Sequence, residues 1–201
     1  DGKSPCTKEQ LAEFFDDGLQ ILDFFKKKRG EYFSKNGWEL VGVEKPINFK
    51  LRNKLRIIGF LDIVMYDKIS NRIKIIDIKT STMGWNKWQK KDENKTAQLL
   101  LYKQFYSKQY GFPIENIDVE YFIVKRKLYE KAMFPQKRVQ KFSPASGTVS
   151  MNKLAVKLKT FMDDAFDEEG NRIDKDYKTN ASKKTCKWCE FRKTKYCSEG
   201  V

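Results

Sequence analysis

The stretch Arg72-Ile73-Lys74-Ile75-Ile76-Asp77-Ile78-Lys79 decides the fold. Its β-branched residues, and the turn-forming Asp67-Lys68-Ile69-Ser70-Asn71 before it, make it the second strand of a hairpin. Side chains two apart on a strand share a face. Asp77 and Lys79 therefore project to one side while Ile76 and Ile78 face the other, which presents a carboxylate and an ammonium together at a strand end. Working outward, Leu55 to Tyr66 is the first strand, and its acid, Asp62, stands among Ile58, Phe60, Ile63 and Val64. An unpaired charge in such apolar company is costly, so Asp62 needs a partner. If the hairpin sets Asp62 beside Asp77, the two carboxylates can hold Mg²⁺ or Mn²⁺ as hard oxygen ligands, with the Ile78 carbonyl as a third. The plainer alternative is a buried ion pair of Asp62 with Lys79, with Asp77 capping a turn.

A metal so held lowers the pKa of its bound water and neutralises phosphate charge, while Lys79 orients the nucleophile or stabilises developing negative charge. That chemistry is phosphodiester hydrolysis. The next helix, roughly Thr96 to Tyr110, places Gln98 and Tyr102 one turn apart on one face. On spacing alone Tyr102 reads equally as a core aromatic. The order Gly59-x-x-Asp62, Asp77-x-Lys79 with Thr80-Ser81 after it, then Gln98-x-x-x-Tyr102 resembles the PD-(D/E)XK nuclease superfamily, in its RecB-like exonuclease branch. The resemblance implies that Gln98 and Tyr102 contact DNA or position the lysine. It also implies that Glu44, in Val43-Glu44-Lys45-Pro46-Ile47, is a further catalytic residue on the preceding strand. Many members carry a histidine on the helix before these strands, and this chain has no histidine. Asp23 and Glu31, in the helical stretch Leu11 to Phe33, are the acids considered in its place, and neither matches a motif.

Four cysteines are unevenly spread: Cys6 near the start, and Cys186, Cys189 and Cys197 near the end. A secreted disulfide scaffold is smaller and denser in cysteine. Four thiolates complete a zinc site or an iron-sulfur cluster, and chemistry alone makes zinc the commoner choice. One distant N-terminal cysteine with a C-terminal trio is similar to the staple of AddB-type and CRISPR-associated RecB-like nucleases, which implies a 4Fe-4S cluster. The gap from Cys189 to Cys197 is longer than that pattern.

Composition bounds the rest. A chain of 201 residues with 40% apolar content supports a real core. The expected fold is a single α/β domain over 1–201, a mixed central β-sheet flanked by helices, with its core at about 38–128 and metal-binding ends at Cys6 and 186–197. A net charge of +14 favours a polyanionic partner. After Lys79, the loop Thr80 to Trp88 mixes aromatics with cations: Trp85 and Trp88 can stack on unpaired bases while Lys87 follows the phosphates, or both tryptophans can anchor the loop to the core. Ile117 to Leu128 is a further strand, followed by an irregular basic segment, a helix over Ser150 to Phe166 and a polar loop. No stretch reaches the roughly 20 apolar residues of a membrane span and no signal peptide is visible, so an intracellular, soluble protein is expected. The function read from these features is a Mg²⁺- or Mn²⁺-dependent exonuclease on DNA, single-stranded or with free ends. The alternatives are a structure-specific endonuclease and a non-catalytic nucleic-acid-binding module with structural zinc.

Overall fold

The computed structural model describes residues 6–129, 131 and 133–201. The chain opens with α1 (Lys8–Tyr32), which starts where it does because Thr7 and Gln10 cap each other: the Gln10 amide donates to Thr7 Oγ1 and the Thr7 amide to Gln10 Oε1. Then come β1 (Trp38–Lys50), β2 (Arg56–Asp67), β3 (Arg72–Ser81), α2 (Lys87–Lys91), α3 (Glu93–Tyr110), β4 (Ile117–Lys125), β5 (Val139–Phe142), α4 (Thr148–Ala165) and the short α5 (Lys183–Cys186). Asp67 makes the β2–β3 turn: its carboxylate accepts from the Ile69 amide at 2.9 Å and from Ser70 Oγ at 2.7 Å, and Asn71 closes the turn at φ +52°.

The strands form one sheet in the order β1-β2-β3-β4-β5, antiparallel except for the parallel pair β3–β4. A parallel pair requires a crossover, and α2 with α3 supplies it. The mixed sheet flanked by helices is the α/β architecture expected of the sequence. Two short elements depart from that reading. β5 lies in the segment read as irregular, because four residues are too few to display alternation; it becomes a strand by pairing with β4. α2 lies partly in the segment read as a loop, and a second capping box, Asn86 with Gln89, starts it.

Each sheet face has its own cover. On one, Phe25 and Tyr32 of α1 and the capping Phe33 after it pack against Phe122, ring centroids 5.4 to 5.9 Å apart. On the other, Leu99, Phe105 and Tyr106 of α3 pack over Ile73, Ile75, Val119, Tyr121 and Ile123, and Leu158 of α4 joins from outside. Truncating Phe122 would remove the centre of the α1 contact, a loss of about 3–5 kcal/mol. No helix among the described residues is long and apolar enough to cross a membrane.

Candidate active site

The site forms where β2 parts from β3. Their pairs run from Asp67↔Arg72 to Ile63↔Ile76 and end there. Asp62 is the next residue, and its carboxylate takes over as acceptor for the Ile78 amide at 2.6 Å. The alternation of β2 slips at the same point: Leu61 and Val64, three apart, both belong to the α3-side core. A regular strand cannot put both on one face, so Asp62 sits at an irregularity.

Asp77 lies on the α3 face of β3, beside Tyr121 of β4 in the register. It is almost wholly buried, and Lys79 Nζ lies 2.7 Å from its Oδ2. Lys79 is thus the partner of this buried oxygen, and no other donor among the described residues reaches it. Burial pushes the Asp77 carboxyl above the usual aspartate range, Lys79 pulls it part of the way back, and the charge of Asp62 adds to the rise. Asp77 thus feels a second carboxylate nearby while Lys79 is its one charged partner of opposite sign. A divalent cation held by oxygen ligands fits that deficit, and Mg²⁺ in particular is commonly bound through one or two carboxylates with water or phosphate completing its shell. The structure therefore joins Asp62 to Asp77 through β3, and pairs Lys79 with Asp77 rather than with Asp62.

Gln98 and Tyr102 come together on α3, with Gln98 Nε2 donating to the Tyr102 hydroxyl at 3.1 Å. The Tyr102 ring lies against Gly59: a Cβ there would stand 3.2 Å from the ring. Gly59, lacking a side chain, thus leaves room for the Tyr102 ring against β2. Glu44 lies between the pairs Val43↔Ile63 and Lys45↔Leu61, at the register position facing Asp62, in a left-handed conformation of φ +50°. Such backbone strain in a non-glycine residue clusters at functional sites. Glu44 is exposed, and among the described residues no group of three or more His, Cys, Asp and Glu is gathered to hold a metal.

Several expectations need correcting. Trp85 is no stacking platform: it is buried among Tyr121 and Phe142, and the Gln140 side chain grips its backbone, accepting from Trp85 N at 2.7 Å and donating to Trp85 O at 3.1 Å. Trp88 is exposed, with Lys87 Nζ 5.1 Å from its ring centroid. Asp23 and Glu31 form surface pairs with Lys27 and Lys28 on α1. Two other α1 acids reach the end of β4: Asp17, buried and 3.1 Å from Arg126, and Glu13, paired with Arg126 and Lys127. No disulfide links Cys6, Cys186, Cys189 and Cys197, and among the described residues no three of these thiols are gathered as a metal site would need. Cys186 is buried and Cys189 exposed, although only two residues separate them. Sequence reasoning passed over Tyr121, whose period-two spacing with Val119 and Ile123 puts it on the face of Asp77, and Gln140, whose partner is 55 residues away.

A family model for the PD-(D/E)XK nuclease superfamily matches residues 16–194. No curated protein matches the chain. Ten chains of solved structures match, among them one described as "Crystal structure of SSO0001", at 15% identity and a TM-score of 0.41. The match covers 87% of this chain and 65% of that one, so the chain spans just under two thirds of its length.

Proposed function

This chain belongs to the PD-(D/E)XK nuclease superfamily, and we propose that it is a Mg²⁺- or Mn²⁺-dependent DNA exonuclease working at Asp62, Asp77 and Lys79. The observation that carries the reading is the capture of the Ile78 amide by Asp62 where β2 and β3 part, which sets a second carboxylate beside Asp77 and its ammonium. Asp62 and Asp77 would hold the cation, with the Ile78 carbonyl and Glu44 as further candidates. The cation, when bound, supplies an acidified water and charge neutralisation at the scissile phosphate.

The chain's own residues do the rest. Asp77, buried and short of donors, favours a cation over water as its partner. Lys79, already 35% exposed where it pairs with Asp77, would turn to the phosphate once a cation held that carboxylate, orienting the nucleophile and stabilising the charge that builds on the oxygens. Gln98 and Tyr102, tied to each other and seated against Gly59, present amide and phenol groups beside β2 to guide the strand. Trp88 and Lys87, exposed at the start of α2, suit an unpaired base and its phosphate. Support for a nucleic-acid substrate comes also from the +14 charge. The cysteine ends keep one argument for a separate structural 4Fe-4S cluster or zinc, the Cys186-x-x-Cys189 spacing; iron and zinc analysis of anaerobically purified protein tests it, and the absence of both metals refutes it.

The deciding assay is digestion of end-labelled linear DNA beside covalently closed single-stranded circles, with Mg²⁺ or Mn²⁺. Progressive loss from linear ends with circles intact is the expected result. Cut circles would make the protein an endonuclease, and intact DNA in both arms would overturn the nuclease reading.

A further inference from the structure

Between α3, α4 and β5 lies a cavity of about 280 Å³. Its floor is apolar, built from Leu100, Phe142, Pro144 and Leu154, and its rim carries Lys90, Lys91, Lys153 and Lys157. Lys153 and Lys157, a helical turn apart on α4, both clasp Glu93 at the start of α3. These two lysines hold the Glu93 carboxyl down at about 2, so it is fully ionised at neutral pH. All three side chains are more than half exposed, and bridges of that kind add little to stability. The cluster therefore lacks a strong structural reason to exist. It is close to the site: Lys79 Nζ lies 5.9 Å from the centroid of Tyr121, Tyr121 stacks on Phe142 at 6.4 Å with planes 11° apart, and Phe142 lines the cavity.

We propose that this cavity is a nucleotide subsite for the strand being cut, taking one base against its apolar floor and the flanking phosphates on its lysine rim. Glu93 occupies the phosphate position in the absence of that strand. The charge supports a strand: four ammonium groups face one carboxylate, and a polyanion would displace that carboxylate from two of them. The floor supports a base, because an aromatic ring and apolar side chains accept any base without reading its edges. The identity of the strand as substrate rests on the nuclease reading, whereas its binding does not.

The test is the affinity of a single-stranded oligodeoxynucleotide, measured in EDTA over a range of salt so that no cleavage intervenes. Lys153→Ala/Lys157→Ala should bind more weakly, with a salt slope shallower by about 1.4 for two lost contacts. Glu93→Gln should bind more tightly, since it frees two lysines, whereas a merely structural bridge would leave affinity unchanged or lower it. A photoreactive thiothymidine in the oligonucleotide should crosslink to the Phe142 peptide. If the lysine variant does not fold, Ala97→Trp, which fills the cavity, should abolish that crosslink. Unchanged affinity and slope in the rim variants, or binding of free thymidine monophosphate or inorganic phosphate at the rim with the oligonucleotide indifferent to it, would overturn the subsite. Cleavage that survives such a result leaves the nuclease reading standing, and rim-dependent binding without any cleavage separates the two in the other direction.

Discussion

Asp77→Asn separates a metal ligand from a structural acid. The Asp77 side chain is 2% exposed, and Lys79, 2.7 Å from its Oδ2, partly offsets its charge. Asn keeps the shape and removes the charge. In metal-free protein at neutral pH the substitution should therefore be neutral or stabilising, because burial disfavours the ionised Asp77 carboxyl by more than Lys79 favours it; Lys79, one third exposed, regains water when its partner is lost. With metal the order reverses. A cation at about 100 times its Kd stabilises the wild type by about 2.7 kcal/mol. For 201 residues that is roughly 5–11 °C in Tm at about 2–4 °C per kcal/mol, and Asp77→Asn should show almost none of it. The pH dependence carries the same signature. Because the native Asp77 pKa is raised, the metal-free native state binds more protons than the unfolded chain just above the usual aspartate pKa, so stability from this group falls as pH rises through that window. The variant should lack that fall. Thermal melts with and without Mn²⁺ at several pH values provide the assay. A variant that keeps the full metal-induced rise, or one that loses several kcal/mol in metal-free buffer, would refute the reasoning.

Gly59→Ala puts a Cβ 3.2 Å from the Tyr102 ring, and the resulting overpacking should cost about 1–3 kcal/mol in denaturant melts; an unchanged midpoint would show that the ring can move aside freely. Lys79→Ala should lower the cleavage rate by on the order of 10²–10³ while DNA affinity in EDTA changes little, as single-turnover and binding measurements would show. Lys103, buried on α3 and donating to the Ser146 carbonyl at 3.1 Å, has its pKa lowered chiefly by burial. The unfolded chain therefore binds more protons just below the ordinary lysine pKa, stability from this group rises with pH there, and Lys103→Met should flatten that rise in alkaline melts.

What the sequence made legible follows the two periods of secondary structure. Period two set Asp77 and Lys79 on one face of β3, and the helical period set Gln98 beside Tyr102; both are local and survive into the fold. The mixed sheet followed from a hairpin, a helix and one further good strand. Other features are set by tertiary contacts that no local pattern encodes. The parting of β2 from β3 after Ile63 depends on which amides find partners, and the slip between Leu61 and Val64 was its one trace in the chain. Trp85 and Trp88 read alike in a cationic loop, yet Gln140 on an unforeseen strand draws the first into the core and leaves the second in solvent. Glu44 was reached by resemblance alone, and its left-handed backbone facing Asp62 belongs to the geometry of β1 rather than to its neighbours in sequence.

The most direct test of the central claim is the rate at which Asp62→Asn cleaves end-labelled linear DNA with Mn²⁺. Asn retains a side-chain oxygen to accept from the Ile78 amide, so the strand junction should hold and the metal-free Tm should stay near that of the wild type. Only the second carboxylate is lost. A folded Asp62→Asn protein with cleavage reduced by on the order of 10² or more is the predicted result, and a folded variant that cuts at the wild-type rate would contradict the account.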